Sequence, residues 1–312
     1  MSKDHFPVFL ERLKTIVGNE QYEPVVQSFS RPEVLSVRVN TLKTTPHEIF
    51  TQLKARNITV RELPWSAEAL ILEGITREEL GRMDLTNDGL LYRQNLSSML
   101  PVLALAPQSG ERVLDMCAAP GSKTTQMAAL MRNEGEIIAV EAIRGRYYKL
   151  RSVVTQMGAT NVVLKLTDAR RFRLPAPFDR ILVDAPCSSE GRFKMDDPET
   201  CAYWSPRKIK EMVRKQRGLL LQATRLLKPG GTLVYATCTF APEENEGVVD
   251  WLLRKTGGRL SLEPVRFAGV PNYPALESWS ERIFNNRVKS CFRVLPNREM
   301  EGFFIAKFIL KG

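Results

Sequence analysis

Histidine is almost missing from this sequence. Only His5 and His47 occur in 312 residues, and both precede the region that carries the chemistry, so a Ser-His-Asp or Cys-His nucleophile is not expected. Cysteine is scarce as well. Five residues, an odd number with no Cys-x-x-Cys pair, argue against a disulfide framework and against a structural zinc site. The thiols are expected to be free. No uncharged apolar run reaches the roughly eighteen residues that span a bilayer, and the segment from Met1 to Pro7 lacks the apolar core of a signal peptide. A cytoplasmic monomer with no membrane partner and no metal is the expectation.

What is present is an ample apolar fraction, 43%, enough to build one large domain and a smaller one. The net charge is +10, and it is unevenly spread. Residues 1 to 84 hold 11 lysines and arginines against 12 acidic residues, leaving 34 against 23 for the remainder. A basic second part favours a polyanionic partner, nucleic acid before an anionic membrane, although solubility alone can account for such a charge.

The first 85 or so residues read as mixed α/β, with helical patterns over Pro7 to Ile16 and Pro46 to Arg56. Strand-like runs fall at Leu35 to Val39, Ile58 to Arg61 and Ala69 to Leu72. From Leu96 apolar runs alternate with helical segments: Arg112 to Ala118, Glu136 to Glu141, Val162 to Asp168, Asp179 to Ala185 and Thr232 to Cys238. That alternation predicts a doubly wound parallel sheet, with Phe303 to Leu310 as a late edge strand and Pro175-Ala-Pro177 as a turn. A long helix from Pro206 to Leu227, capped by Ser205 and ended by Lys228-Pro-Gly-Gly, carries Arg207, Lys208, Lys210, Arg214, Lys215 and Arg217 opposite its apolar stripe. Such a face is either solvated or in contact with phosphates.

Two cysteines close apolar runs, Cys187 after Ile181-Leu-Val-Asp-Ala-Pro and Cys238 after Leu233-Val-Tyr-Ala-Thr. Both should emerge at the carboxyl ends of buried strands, where open α/β sheets bind ligands. Packing is the ordinary fate of a single cysteine. The neighbouring loop shifts the balance toward chemistry. Asp115 to Thr125 joins the first strand of the periodic region to a helix through small residues, Pro120 and Gly121, so backbone amides can approach a ligand. It is neither a P-loop, because Ser122 precedes Lys123, nor a G-x-G-x-x-G turn. Glu141 follows Gly121 by 20 residues, the spacing at which an acidic side chain meets ribose hydroxyls. Asp168 and Asp184 end the next two strands, and three strand-end carboxylates suit a positively charged adenosine, which S-adenosylmethionine is.

Taken together, these segments resemble the NOL1/NOP2/Sun family of RNA cytosine-5 methyltransferases. The resemblance runs through Arg38-Val-Asn-Thr-Leu, Tyr92 to Pro101, Asp115 to Thr125, Asp184-Ala-Pro-Cys-Ser, Trp204-Ser-Pro, Lys228-Pro-Gly-Gly, Thr237-Cys-Thr, Glu243-Glu-Asn-Glu and Glu301-Gly-Phe-Phe-Ile-Ala. It implies a class I methyltransferase Rossmann-like sheet in residues 86–312, after a small N-terminal α/β RNA-recognition-like domain in residues 1–85. It also implies S-adenosylmethionine held by Cys117, Ala118, Ala119, Pro120, Gly121, Ser122 and Lys123, with Glu141 at the ribose, Asp168 at the adenine and Arg146 nearby. By the same resemblance Cys238 is the nucleophile, Cys187 helps release the product, and Asp184 contacts the cytosine ring beside the cofactor. Asp184, if kept protonated by burial, could donate to N3. Lys123 and the sulfonium would both favour the Cys238 thiolate, in place of the missing histidine.

Ser122, Ser189 and Glu301 depart from the commoner residues of the family. Ser122 and Glu301, with Tyr92-Arg-Gln and Ser97-Ser-Met-Leu-Pro, look most like the bacterial branch acting on small-subunit ribosomal RNA, without the C-terminal RNA-binding domain usual there. Ribosomal RNA is therefore expected before transfer RNA, its cytosine reached outside a base-paired stack. RNA contacts are expected from Arg207, Lys208, Lys210 and Arg214 on the long helix and from a late basic segment that includes Arg293. The first domain would add Arg38, Asn40 and Lys43. The rivals are a DNA cytosine-5 methyltransferase, in which the Pro-Cys thiol attacks, and a catalytically idle RNA-binding assembly factor.

Overall fold

The structure is a computed structural model that describes residues 5–32, 34–174 and 176–312; Pro175, where a turn is expected, falls outside them. The chain opens with helix α1 (His5–Ser28), which changes direction at Gly18 and contains Pro24. A four-stranded antiparallel sheet follows, in the order β2-β3-β1-β4. Its strands are β1 (Leu35–Val39), β2 (Thr59–Leu63), β3 (Ser66–Glu73) and β4 (Leu91–Arg93). Helix α2 (Pro46–Ala55) starts at Thr45, whose hydroxyl accepts from the Glu48 amide while the Glu48 carboxylate accepts from the Thr45 amide. It packs Ile49 and Leu53 onto Val37, Val39, Leu70 and Leu72, together with the short helices α3 (Arg77–Arg82) and α4 (Asp84–Asn87).

Two expectations about this region need correction. The sheet reaches Arg93 through β4, eight residues beyond the boundary expected at 85. Helix α1 does not belong to the sheet's core: its Phe9, Leu13, Ile16 and Val25 pack with Phe193, Trp204, Ile209 and Phe240 of the larger domain. Phe9 meets Phe193 edge-on at 4.9 Å between ring centroids.

The larger domain begins with α5 (Leu96–Leu105), capped by Asn95. Its sheet is built from β5 (Arg112–Asp115), β6 (Glu136–Glu141), β7 (Val162–Leu166), β8 (Phe178–Asp184), β9 (Leu227–Thr237), β10 (Leu260–Glu263), β13 (Phe292–Val294) and β14 (Phe303–Leu310). A two-stranded ribbon of β11 (Ser278–Trp279) and β12 (Arg282–Ile283) stands apart. Strands β5 to β9 are parallel, in the order β9-β8-β5-β6-β7. Helices α6 (Ser122–Leu130), α7 (Arg144–Gln156), α8 (Pro206–Leu226) and α9 (Glu246–Lys255) accompany them. The strand order reverses between β5 and β8, which makes the crevice above their carboxyl ends the ligand position of such sheets.

The expected edge strand is an inner one. Strand β14 lies antiparallel between β9 and β10, consistent with its nearly unbroken apolar run, because a strand covered on both faces needs no polar alternation. Between α8 and the straight part of β9, Gly231 has no room for a side chain: a Cβ there would lie 2.9 Å from the carbonyl oxygens of Asp179 and Lys228.

Candidate active site

A cleft of about 540 Å³ opens over the carboxyl ends of β5, β8 and β9. Its floor is made by Asp115, Cys117 to Pro120, Ser122, Lys123 and Asp184, with Cys238, Arg192 and Glu301 on one side. Tyr92, Arg93 and Arg77 of the smaller domain close the other. The two domains therefore share the cleft.

The loop on the floor is held in shape by its own side chains. Asp115 is buried, accepting from the Thr124 hydroxyl at 2.7 Å and from the Cys117 amide at 3.3 Å. Burial pushes its carboxyl up to about 6, helped by the negative Asp184. Gly121 stands at φ 114°, and a Cβ there would lie 3.1 Å from Val153 and 3.2 Å from Leu150, so glycine lets the loop rest directly on α7. Cys117 is no candidate nucleophile. Burial and the surrounding carboxylates push its thiol well above the ordinary range.

The two strand-end cysteines meet. Cys187 Sγ and Cys238 Sγ lie 3.4 Å apart. The hydrogen bond with Cys187, and then the Arg192 guanidinium, pull the Cys238 thiol below its ordinary value against burial, Asp184 and Glu301. The same hydrogen bond and burial push Cys187 well up. The arrangement favours a thiolate at Cys238 and a thiol at Cys187.

Lys123 is not the cation that does this. Its Nζ donates to Asp184 at 2.7 Å and to Ser98 Oγ at 2.8 Å. Arg192, with a side chain 63% exposed and 3.7 Å from Glu301, takes the role expected of Lys123. Nothing in the spacing of Pro186-Cys-Ser-Ser-Glu-Gly-Arg192 announces it. Asp184 itself is 31% exposed and ion-paired, so the burial invoked to keep it protonated is not there.

Of the expected adenosine contacts, Glu141 is buried at the end of β6, where one oxygen accepts from the Ile143 amide at 2.8 Å and the other lies 3.7 Å from Arg146. Arg146 also donates to the Ala119 carbonyl at 2.7 Å, tying the loop to α7. Neither Glu141 nor Asp168 lines the cleft. Both oxygens of Asp168 are engaged by Arg170, at 2.6 Å for the closest contact, and this pair holds its carboxyl below the usual range.

The expected RNA contacts divide. Arg38 is fully buried, donating to Gln94 at 3.0 Å and to Thr125 at 2.9 Å, and Asn40 is fully buried between the carbonyls of Gly89 and Met157. Lys43 donates to the carbonyls of Asp88 and Gln156, both at 2.7 Å. All three fasten the small domain to the large one, so they are corrected from RNA contacts to seam residues. Arg293, 3% exposed, pairs with the buried Glu246 at 2.5 Å and is likewise structural. Arg207, Lys210 and Arg214 are exposed on α8 and Lys208 is half-exposed, but none of the four lines the cleft.

No cluster of three potential metal-ligating side chains occurs among the described residues. Nor is any described helix long and apolar enough to cross a membrane.

Comparison with known proteins agrees with this geometry. The model for the 16S rRNA methyltransferase RsmB/F family matches residues 102–309, and the model for the ferredoxin-like domain of RsmF/B-like methyltransferases matches residues 7–77. Ribosomal RNA small subunit methyltransferase F of Serratia proteamaculans (strain 568) is 37% identical over 96% of the chain. Its counterpart from Escherichia coli O127:H6 (strain E2348/69 / EPEC) is 41% identical over 97%. The chain spans 62% and 63% of the length of those two relatives. The tRNA (cytosine(49)-C(5))-methyltransferase of Pyrococcus abyssi (strain GE5 / Orsay) is 38% identical over 96% of this chain and 94% of its own length. A crystal structure of a methyltransferase homolog protein from Pyrococcus horikoshii superposes with a TM-score of 0.84 at 32% identity, over 97% of this chain and 94% of that one. The fold, the ferredoxin-like small domain and the paired strand-end cysteines meet in one conclusion: the chain belongs to the RsmB/F methyltransferase family.

Proposed function

We propose that this chain is an S-adenosylmethionine-dependent RNA (cytosine-5)-methyltransferase that modifies a cytosine of 16S ribosomal RNA through a covalent Cys238–C6 adduct. The observation that carries the reading is the thiol pair: two sulfurs 3.4 Å apart at adjoining strand ends, with Cys238 drawn toward its thiolate and Cys187 toward its thiol. A DNA-type enzyme would present the Pro-Cys thiol to the base. Here the Thr-Cys thiol, Cys238, lines the cleft, and the Pro-Cys thiol, Cys187, does not.

The donor set of the cleft fits the cofactor. Asp115 and Asp184 offer negative charge to a sulfonium, while Lys123 and Arg146 offer positive charge to the carboxylate of a methionine chain beside the Cys117–Lys123 loop. Glu141 remains the candidate for the ribose. The adenine contact assigned to Asp168 requires its carboxylate to leave Arg170. When bound, the cofactor supplies an electrophilic methyl group.

The chain's own residues do the rest. C5 of cytosine is a weak nucleophile until C6 gains a substituent, which the Cys238 thiolate supplies by addition. Lys123 and Asp184, paired at 2.7 Å, present a donor and an acceptor to the Watson–Crick edge of a base taken out of its stack. After C5 is methylated, loss of its proton to a base lets the Cys238 sulfur leave by elimination. The Cys187 thiol, in contact with that sulfur at 3.4 Å, can donate a hydrogen bond to the thiolate as it departs.

The test is transfer of labelled methyl from S-adenosylmethionine to small ribosomal subunits, deproteinised 16S rRNA and bulk tRNA, followed by mapping of 5-methylcytosine. Relatives named for rRNA and for tRNA both align over nearly the whole chain, so tRNA is the second substrate tried. Transfer to neither class overturns the reading. Cys187→Ser should accumulate an RNA–protein adduct and Cys238→Ser none; the opposite result exchanges their roles.

A further inference from the structure

Behind the cysteines lie two buried carboxylates that the chemistry above does not use. Glu244 is 0% exposed and Glu190 is 1% exposed. They are joined by two hydroxyls. Glu244 Oε1 lies 2.5 Å from Ser188 Oγ, Ser188 Oγ lies 2.7 Å from Thr239 Oγ1, and Thr239 Oγ1 lies 2.9 Å from Glu190 Oε2. Ser188 directly follows Cys187 and Thr239 directly follows Cys238, so the chain of hydrogen bonds runs from one thiol loop to the other.

Counting hydrogens along this chain gives a definite result. Three oxygen–oxygen gaps of hydrogen-bond length need three hydrogens, and two hydroxyls supply two. With both carboxylates ionised, Ser188 donates to Glu244 and Thr239 donates to Glu190. The gap between the hydroxyls then holds two facing lone pairs at 2.7 Å. One further proton, on a carboxyl, removes the conflict: from Glu244 the chain runs as donor to Ser188, to Thr239, to Glu190, each hydroxyl donating once and accepting once along it, with Thr239 Oγ1 also accepting from the Ala241 amide at 3.3 Å.

We propose that Glu190 and Glu244 share a single proton through Ser188 and Thr239, and that this proton fastens the two cysteine loops at their working separation. Glu190 is the better seat for the remaining negative charge, since it also accepts from the Trp204 indole at 2.7 Å and the Phe240 amide at 3.0 Å. Glu244 accepts from Gln216 at 2.7 Å and from the Ser188 amide, and burial followed by the neighbouring Glu190 charge carries its carboxyl up to about 8. The charged and titratable groups facing the pair are Arg12 from α1, Glu243, Tyr235 on β9, and the Cys187 thiol. Arg12 already pairs with Glu243 at 2.9 Å. Loss of the shared proton to solvent opens the hydroxyl gap and sets a second negative charge behind the thiols. These four side chains are positioning residues. The inference rests on Cys238 and Cys187 being the reacting thiols, but its first readout needs no turnover.

That readout is the carboxyl C=O stretch in infrared difference spectra of the full chain between about pH 7 and pH 10, a range above the titration of Asp115. The wild type should lose a protonated-carboxyl band as pH rises, and Glu244→Gln should lack that band throughout. No titrating band in the wild type, or an unchanged band in Glu244→Gln, overturns the proposal. The second readout is the pH profile of methyl transfer. An amide at 244 keeps the third hydrogen at every pH, so Glu244→Gln should retain wild-type turnover near neutrality and escape an alkaline decline on the order of tenfold. Superposable profiles overturn the coupling, as would full turnover in Ser188→Ala or Thr239→Val. Where Glu244→Gln fails to fold, the wild-type band and the two hydroxyl variants still decide. A wild type that shows the band yet methylates no RNA retains the shared proton and removes the reading of the thiols as reactive.

Discussion

Two of the places where this molecule buries charge among neutral partners do so with opposite signs. At the seam between the domains, Arg38 sits among neutral acceptors from Gln94, Thr125 and Ser122. Behind the cysteines, Glu190 and Glu244 sit among neutral donors from Trp204, Gln216 and two hydroxyls. Burial lowers the arginine only to about 10, so it stays charged at every physiological pH. Burial raises Glu244 to about 8, within reach of ordinary pH. A buried guanidinium makes a permanent joint; a buried carboxyl makes one that responds to protons.

Removing the permanent joint should have the largest effect. Arg38→Met leaves Gln94 and Thr125 without their partner and should lower stability by about 2–4 kcal/mol, read from chemical denaturation; a loss below roughly 0.5 kcal/mol would show that the seam does not depend on it. Next comes pH. Glu244 titrates near 4.5 when unfolded and near 8 when folded, and Asp115 near 3.8 and 6. The folded state therefore binds more protons across that window, and stability should fall as pH rises from about 4 to 8. Glu244→Gln should flatten the upper part of the decline, whereas Arg38→Met should leave the slope as it was. An exposed cation beside the thiol should matter less. Arg192→Leu should raise the Cys238 thiol with little change in stability, as read from the pH dependence of iodoacetamide labelling at that residue. Smallest of all, Arg207→Ala, Lys210→Ala and Arg214→Ala together should alter stability by less than about 0.5 kcal/mol. If α8 carries RNA, the triple variant should also reduce the salt dependence of RNA binding, and an unchanged slope would make that face simply a solvated one.

Much of the larger domain was legible because strands and helices there are long and strongly periodic: Glu136–Glu141 and Phe303–Leu310 match the observed strands residue for residue. The strands' neighbours were not legible. That Phe303–Leu310 lies inside the sheet depends on β13 and β10, strands of three and four residues that are too short to stand out. The site shows the same division. Residues in local runs, such as the Cys117–Lys123 loop and the two cysteines, could be singled out from their spacing. Arg192, Glu190 and Glu244 could not, because their roles arise only when separate loops converge. Polar character alone misled at Arg38, Asn40, Lys43 and Arg293, where the side chains serve joints within the protein rather than a binding surface.

One consequence concerns synthesis. The strand that ends at Thr237, one residue before Cys238, is flanked on its outer side by residues 304–309, which leave the ribosome some seventy residues later. Until they arrive, β9 has a bare edge, and Gly191, in the segment that carries Arg192, lacks the Gly302 carbonyl against which it packs. A nascent chain interrupted before Phe303 would thus expose an apolar strand with unpaired amides, a target for chaperones and proteases. Cys238 is translated well before the molecule can hold it in place.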